Sequence, residues 1–199
     1  MIPSDREAIR RELVFIDAEY TGEHAHTTLV SLGLVALVGR ELYLTLNDYD
    51  REQVTDWLED NVLSMIDPQT TVDSPTAFRQ LDPWLREVAD GGRICLVSAG
   101  LGSDLILLFE LYKHNRPDMK YFHALHCLPE FLNHEEHFDL NTLFYFAGED
   151  PGVDRDKFVG DAIEGERHNA LHDARIVRAC FRKLIGQGSL PRFADLANG

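Results

Sequence analysis

LVFIDAEYTG, residues 13–22, decides how the rest of the chain is read. Its first four residues, Leu13–Ile16, form a short apolar run of the kind that makes a buried strand. Asp17 ends the run and Glu19 follows two residues later, so the pleat puts both carboxylates on one face. Two negative charges at the end of a buried strand are costly, because unpaired they lose solvation or are forced to protonate. Divalent cations relieve that repulsion, and hard ions such as Mg²⁺ and Mn²⁺ favour oxygen ligands. Taken alone, the pair equally fits a strand end that frays into solvent.

Three further residues weigh between those readings. Asp173 lies one turn before Val177 and two turns before Cys180 and Phe181, on or beside the apolar face of a helix expected over Ala170–Ile185. The helix dipole accounts for an acid near a helix start, but not for its orientation toward the core. His168, five residues earlier, is about 140° away around a regular helix. The two face one site only if His168 sits at or before the helix start, with Asn169 near the cap. An imidazole there, close to a metal-bound water, is placed to act as a general base. Asp104 follows Ser103 in the first turn of another helix and is, by itself, an ordinary first-turn acid.

Outward from residue 22, the polar loop Glu23–Thr28 leads to a second strand, Leu29–Val38 (LVSLGLVALV). Gly39-Arg40 turns the chain into a third, Glu41–Leu46, and so tight a connection predicts an antiparallel meander. In Arg51–Ile66 the apolar residues recur at helical spacing, Trp57 and Leu58 among them. Ser74-Pro75 reads as an N-cap followed by proline, and Asp82-Pro83 repeats the signal, predicting one interrupted helix or two short ones up to Ala89. Arg93–Val97 reads as a strand, Ser103 as the cap of a helix running to about His114, and Asn141–Ala147 as a short helix. Gly148–Gly165 reads as loop, with one helical turn at Asp156–Val159. Tyr121–Leu140 mixes apolar and histidine residues without a clear period. No repeat or linker divides the chain, so the expectation is one α/β domain over residues 1–199, with its core at about 11–186.

The 199 residues carry 19 Lys+Arg against 34 Asp+Glu, a net charge of −15. A diffuse grip on long duplex nucleic acid rests on many Lys/Arg–phosphate contacts and is disfavoured here. This surface attracts cations, and a phosphate-bearing partner needs a metal ion's help. No stretch approaches the ~18 apolar residues of a membrane span, and the charged opening MIPSDREAIRRELV lacks the apolar run of a secretory signal. Three scattered cysteines make no disulfide framework, which points to a reducing cytoplasm.

The ordered set of Asp17-x-Glu19 on a strand, Asp104 at a helix start and His168-x4-Asp173 resembles the DEDDh 3′–5′ exonucleases of the ribonuclease H-like fold. The matching stretches are FIDAEYTG at 15–22, SDLILLFEL at 103–111 and HNALHDAR at 168–175. LVSLGLV at 29–35, together with HNAL-x-DAR, looks closest to the small exoribonuclease AS-like and oligoribonuclease-like members. The resemblance implies a mixed β-sheet flanked by helices, its first three strands being the meander. It implies that Asp17, Glu19, Asp104 and Asp173 hold two Mg²⁺ or Mn²⁺ ions across the scissile phosphate, with His168 as general base. One ion would acidify the water that His168 deprotonates and the other would steady the leaving 3′ oxygen, releasing nucleoside 5′-monophosphates from a 3′ end. Ala18, Tyr20, Thr21, Gly22 and Ser31 fall where family members contact the terminal nucleotide. Tyr20 stands where a smaller residue is common, and either stacks on a base or packs in the strand. Glu110 is a second acid in the middle motif, set deeper in its helix. A homodimer is compatible with the resemblance.

The implied activity is a metal-dependent 3′–5′ exonuclease acting on the 3′ end of single-stranded RNA or DNA, with RNA or short single strands expected ahead of duplex; the acidic charge supports short substrates. The alternatives are a DNA-directed proofreading-type exonuclease and a catalytically silent binding protein, and the intact set of five weighs against silence. His123, His126, Cys127, His134 and His137 form a separate cluster of zinc-type ligands, but the segment is also apolar and its composition favours packing around a helix over a zinc site. The loop histidines His24 and His26 have no assignable role.

Overall fold

The computed structural model describes residues 10–100, 102–116, 128–133, 137–160 and 163–193. Its centre is a mixed sheet in the order β3-β2-β1-β4-β5. The strands are β1 (Arg11–Tyr20), β2 (Leu29–Ala36), β3 (Glu41–Thr45), β4 (Arg93–Ser98) and β5 (Phe138–Asp139). The first three pair antiparallel, as the tight Gly39-Arg40 connection requires, whereas β4 runs parallel to β1 and β5 parallel to β4. The helices are α1 (Asp56–Asn61), α2 (Ser74–Ala89), α3 (Ser103–Asn115), α4 (Glu130–Asn133), α5 (Leu140–Ala147), α6 (Arg155–Val159) and α7 (Ala170–Gly186).

Both faces of the sheet are covered, which is why β1, β2 and β4 read as nearly continuous apolar runs. Val14, Ile16, Leu32 and Leu34 pack with Leu81 and Leu85 of α2 and Leu108 of α3. Leu13, Phe15 and Val97 face the other way, against Phe144 of α5 and Val177 and Phe181 of α7. By alternation Asp17 and Glu19 continue the row of Leu13 and Phe15, so they emerge beneath the start of α7. Among the described residues no helix is long and apolar enough to cross a membrane.

Several expectations change. Arg51–Ile66 is not one helix: a turn at Arg51–Gln53, α1 and a turn at Leu63–Met65 follow one another. Asp50 and Thr55 each accept a backbone N–H two or three residues on, from Glu52 (3.0 Å) and Leu58 (3.2 Å), and so restart the chain twice. Conversely α2 runs uninterrupted through Pro83, because fully buried Leu81 and Leu85 hold both sides of it in the core. Its cap is Asp73, which accepts the Thr76 N–H at 2.9 Å, while Ser74 bonds to Asp48 instead. Gly102, at φ 80°, rather than Ser103 precedes α3. The strand β5 went unread because it has two residues, and its Asp139 also caps α5. Of the histidine-cysteine cluster, His123, His126, Cys127 and His134 lie outside the described residues. His137 accepts the Leu96 N–H on Nδ1 at 3.1 Å, which ties its ring to β4.

Candidate metal centre

The five chemistry-bearing side chains of the sequence motifs come from three places in the fold, and each has a local reason for its position. Asp17 and Glu19 lie where β1 outruns its parallel neighbour, whose ladder with β1 extends only to Phe15–Val97. Beyond that point the Ala18 N–H is free of the sheet, and Asp104 Oδ1 in the first turn of α3 accepts it at 3.2 Å. That bond carries Asp104, only 7% exposed, to the end of β1. A cleft at the carboxyl ends of parallel strands is where open α/β sheets place their ligands.

Asp173 arrives from the opposite layer. Asn169 caps α7, its side chain accepting the N–H groups of Leu171 and His172. Just before the cap, His168 takes φ 68°, in the left-handed region. That turn folds the chain back so that the His168 N–H donates to Asp173 Oδ2 at 2.9 Å. The imidazole Nδ1 then stands 3.9 Å from Glu19 Oε1. Candidate ligand atoms of Glu19, His168 and Asp173 all lie within 4.8 Å of one another. The histidine is therefore as close to a cation position as the two acids are.

Gly33 lets the two layers meet. It sits opposite Asp17 on β2, and a Cβ built there would stand 2.2 Å from the Ala170 carbonyl oxygen and 2.4 Å from the Leu171 nitrogen. Only a glycine lets the first turn of α7 press on the sheet this closely. The glycine inside LVSLGLV was the available signal for that approach, and the sequence reading passed over it.

The electrostatics follow from this crowding. Burial pushes the Glu19 carboxyl up to about 8, with the charges of Asp173 and Asp104 adding to it. Burial likewise raises Asp104 to about 7 against the Ala18 hydrogen bond, which favours ionisation. Asp17 is raised well above the carboxylate range, by burial first and then by Asp104, Asp173 and Glu19. Asp173 is raised by burial and partly rescued by the His168 N–H. Arg155, at the start of α6, opposes the shifts at Asp17 and Asp104. Its guanidinium donates to Asn141 Oδ1 at 2.8 Å, while its buried Nε finds no partner among the described residues. One guanidinium set against four acids leaves the cluster strongly electronegative. The donor set is hard, anionic and short of counter-charge, so it fits Mg²⁺ or Mn²⁺.

Two residues near the site escaped the sequence reading. Arg155 lies in a stretch read as loop. Trp57 was read as one apolar position of a helix, yet it is 52% exposed, and its ring meets His168 edge-on with centroids 5.0 Å apart. The set expected to contact a nucleotide divides. Tyr20 and Gly22 line a cleft beside Asp104, and the Tyr20 hydroxyl is hydrogen-bonded to Ser103. Ser31 and Thr21 face inward, at 0% and 3% exposure, so neither side chain is offered to a ligand. Thr21 instead donates to Gln53 Oε1 at 2.6 Å and pins the loop after β1. Ala18 is buried, with its N–H taken by Asp104. Glu110 points elsewhere, paired with Lys113 at 3.2 Å.

No protein-family model matches this chain, and no curated protein sequence matches it. In three dimensions it is similar to a full-length 3′-exonuclease, with a TM-score of 0.63 and 11% identity over 92% of this chain and 84% of that one. It is also similar to Pop2p of S. pombe in its Mg²⁺- and Mn²⁺-bound form, with a TM-score of 0.59 and 13% identity over 86% of this chain and 82% of that one. At such identities the likeness concerns architecture: the chain has the ribonuclease H-like α/β fold shared by these exonuclease-type structures.

Proposed function

We propose that this protein is a metal-dependent 3′–5′ exonuclease that removes nucleoside 5′-monophosphates from single-stranded nucleic acid, with RNA as the first substrate to test. One observation carries the reading. Ligand atoms of Glu19 at the end of β1, Asp173 at the start of α7 and His168 converge within 4.8 Å of one another, Asp104 is close enough to help raise the Glu19 carboxyl, and Asp17 is itself raised by the other three acids. A binding module has no use for four mutually repelling carboxylates and a histidine in one place. The shared fold with a 3′-exonuclease agrees with this.

Asp17, Glu19, Asp104 and Asp173 would hold the divalent cations, which when bound supply charge neutralisation at the phosphate and acidity to the attacking water. His168, with 37% of its side chain exposed, accepts the proton that the water loses as its oxygen attacks phosphorus. The P–O3′ bond breaks, the 3′ oxygen takes up a proton, and the released nucleotide keeps the phosphate on its 5′ carbon. Trp57 limits the swing of the imidazole, and Asp173 anchors the backbone of the same residue. The acidic surface suits short single strands, since it offers a long duplex few cationic contacts.

The test uses RNA and DNA of one sequence, labelled at either end, with Mg²⁺, with Mn²⁺ and with chelator. Stepwise loss from the 3′ end that needs a divalent ion is expected. Asp17→Ala and Asp173→Ala should each reduce it at least 10³-fold while the far-UV spectrum is retained. Full activity in either variant refutes the assignment.

A further inference from the structure

The stretch Glu164–His168, which leads into the cap of α7, belongs to neither helix nor strand, and Glu164, Gly165, Glu166 and Arg167 are exposed. A segment of that kind has little packing to hold it, yet it delivers His168 to Glu19 and Asp173. Resting on the exonuclease reading, we propose that Glu41 and Arg175 are positioning residues for His168: they lock the Glu164 carbonyl and so hold the segment that carries the imidazole to the metal centre.

The lock begins on the edge strand β3. Glu41 holds Arg175, in the second turn of α7, by two bonds, Nε to Oε1 at 2.9 Å and Nη2 to Oε2 at 2.6 Å. A bidentate pair of this kind fixes the plane of the guanidinium as well as its position. The remaining nitrogen, Nη1, then donates to the Glu164 carbonyl oxygen at 3.2 Å. The same oxygen accepts from Nδ1 of His172 at 3.2 Å, and the His172 side chain is only 7% exposed. One carbonyl thus takes donors from two successive turns of α7.

The next residue leaves the chain no room to shift inward. Gly165 has φ 132°, and a Cβ there would stand 2.6 Å from His172 Nδ1. The backbone therefore passes directly over the buried ring, as only glycine permits. From the fixed Glu164 carbonyl three residues remain before His168, and the Glu166 carbonyl already accepts the Asn169 N–H at 3.2 Å. The other tether of the segment, Arg167 to Asp156 at 3.4 Å, joins two exposed side chains and contributes little.

The Glu41–Arg175 pair is itself about one-third exposed on each side, so its loss should hardly alter global stability. Its effect is local, on where His168 stands. That separates it from the four acids, which bear on the cation directly.

The full chain is compared with Arg175→Met, Glu41→Ala and Glu41→Gln in three measurements. These are kinetics on a single-stranded oligonucleotide with Mg²⁺, Mn²⁺ affinity, and amide hydrogen exchange of the metal-free protein at His168 and Asn169. In the wild type those two N–H groups are bonded to Asp173 and Glu166. Arg175→Met and Glu41→Ala should each speed their exchange about tenfold while the second half of α7 stays protected. Both should lower kcat about tenfold with KM within about twofold and the Mn²⁺ Kd within about threefold. Glu41→Gln keeps an acceptor for the guanidinium and should recover most of kcat. Unchanged kcat or unchanged exchange in the two disruptive variants overturns the proposal. Faster exchange along all of α7, or Mn²⁺ binding weakened tenfold, also overturns it, because the pair then holds the helix and Asp173 in general. If the wild type cleaves nothing while the variants still release the His168 N–H, the exonuclease reading falls and takes the catalytic role of the lock with it, although the lock itself stands.

Discussion

Glu19 should make the metal-free protein lose stability as pH rises, against the trend expected of an ordinary carboxylate. Its carboxyl titrates near 4.5 in an unfolded chain and is raised to about 8 by burial and by Asp173 and Asp104. Between those values the folded state holds a proton that the unfolded state has released. Folding stability is then fully present below pH 4.5 and declines as pH climbs toward 8. One proton corresponds to about 1.4 kcal/mol per pH unit, so going from pH 5.5 to 7.5 removes roughly 2–3 kcal/mol through Glu19 alone. For a chain of this length that is a fall in Tm of about 5–10 °C. Asp104, raised to about 7, acts in the same direction over the lower part of the window. The assay is thermal unfolding in chelator at half-unit pH steps, for the wild type and for Glu19→Gln, which is neutral throughout. The wild-type slope should exceed the variant's by about one proton. Saturating Mg²⁺ should reverse the trend, because a cation binds the ionised carboxylates and stabilises more as pH rises. Superimposable metal-free curves for wild type and Glu19→Gln would refute the reasoning.

Two more outcomes follow from the geometry. Gly33→Ala places a methyl 2.2–2.4 Å from backbone atoms of Ala170 and Leu171, which cannot turn aside as a side chain can. The first turn of α7 must lift, which should cost roughly 1–3 kcal/mol by urea titration and abolish most of the Mg²⁺-dependent rise in Tm; an unchanged Mg²⁺ response speaks against the glycine's role. Trp57→Ala removes the edge-on contact with His168, a kind of pair worth about 0.5–1.5 kcal/mol. On an oligonucleotide substrate kcat should fall about three- to tenfold with KM within twofold, and Trp57→Phe should restore most of it. A change confined to KM would instead make Trp57 a substrate contact.

The sequence was most informative where structure is local. The alternation along β1 put Asp17 and Glu19 on one face, and the capping chemistry of Asn169 placed His168 before the start of α7, as the 140° argument required. The meander followed from the tight turn between β2 and β3. What escaped depends on contacts between distant segments. Nothing in Arg51–Ile66 reveals that two side-chain caps break the helical period, or that the break turns Trp57 toward a histidine 111 positions later. Arg155 belongs to a stretch whose Asp and Gly content reads as loop, and its bearing on Asp17 and Asp104 arises only in the folded chain. The burial of Ser31 and Thr21 is illegible for the same reason: strand alternation gives a face, but only the packing of β3 and of the loop after β1 determines whether that face sees solvent.

The four acids also divide in a way no motif announces. Asp104 accepts the Ala18 N–H and Asp173 accepts the His168 N–H, so each of these carboxylates is oriented and partly satisfied by backbone. Among the described residues, none donates a hydrogen bond to the carboxyl of Asp17 or Glu19. The first pair is built into the frame, and the second presents oxygen atoms whose charge the protein itself leaves largely unmet. A cation entering the site therefore gains most from the two acids of β1, and its loss is felt most there. For that reason Glu19, the more accessible member of that pair and one the backbone does nothing to restrain, should contribute about a full proton to the pH dependence of the metal-free protein, with Asp17 and Asp104 adding in the same direction.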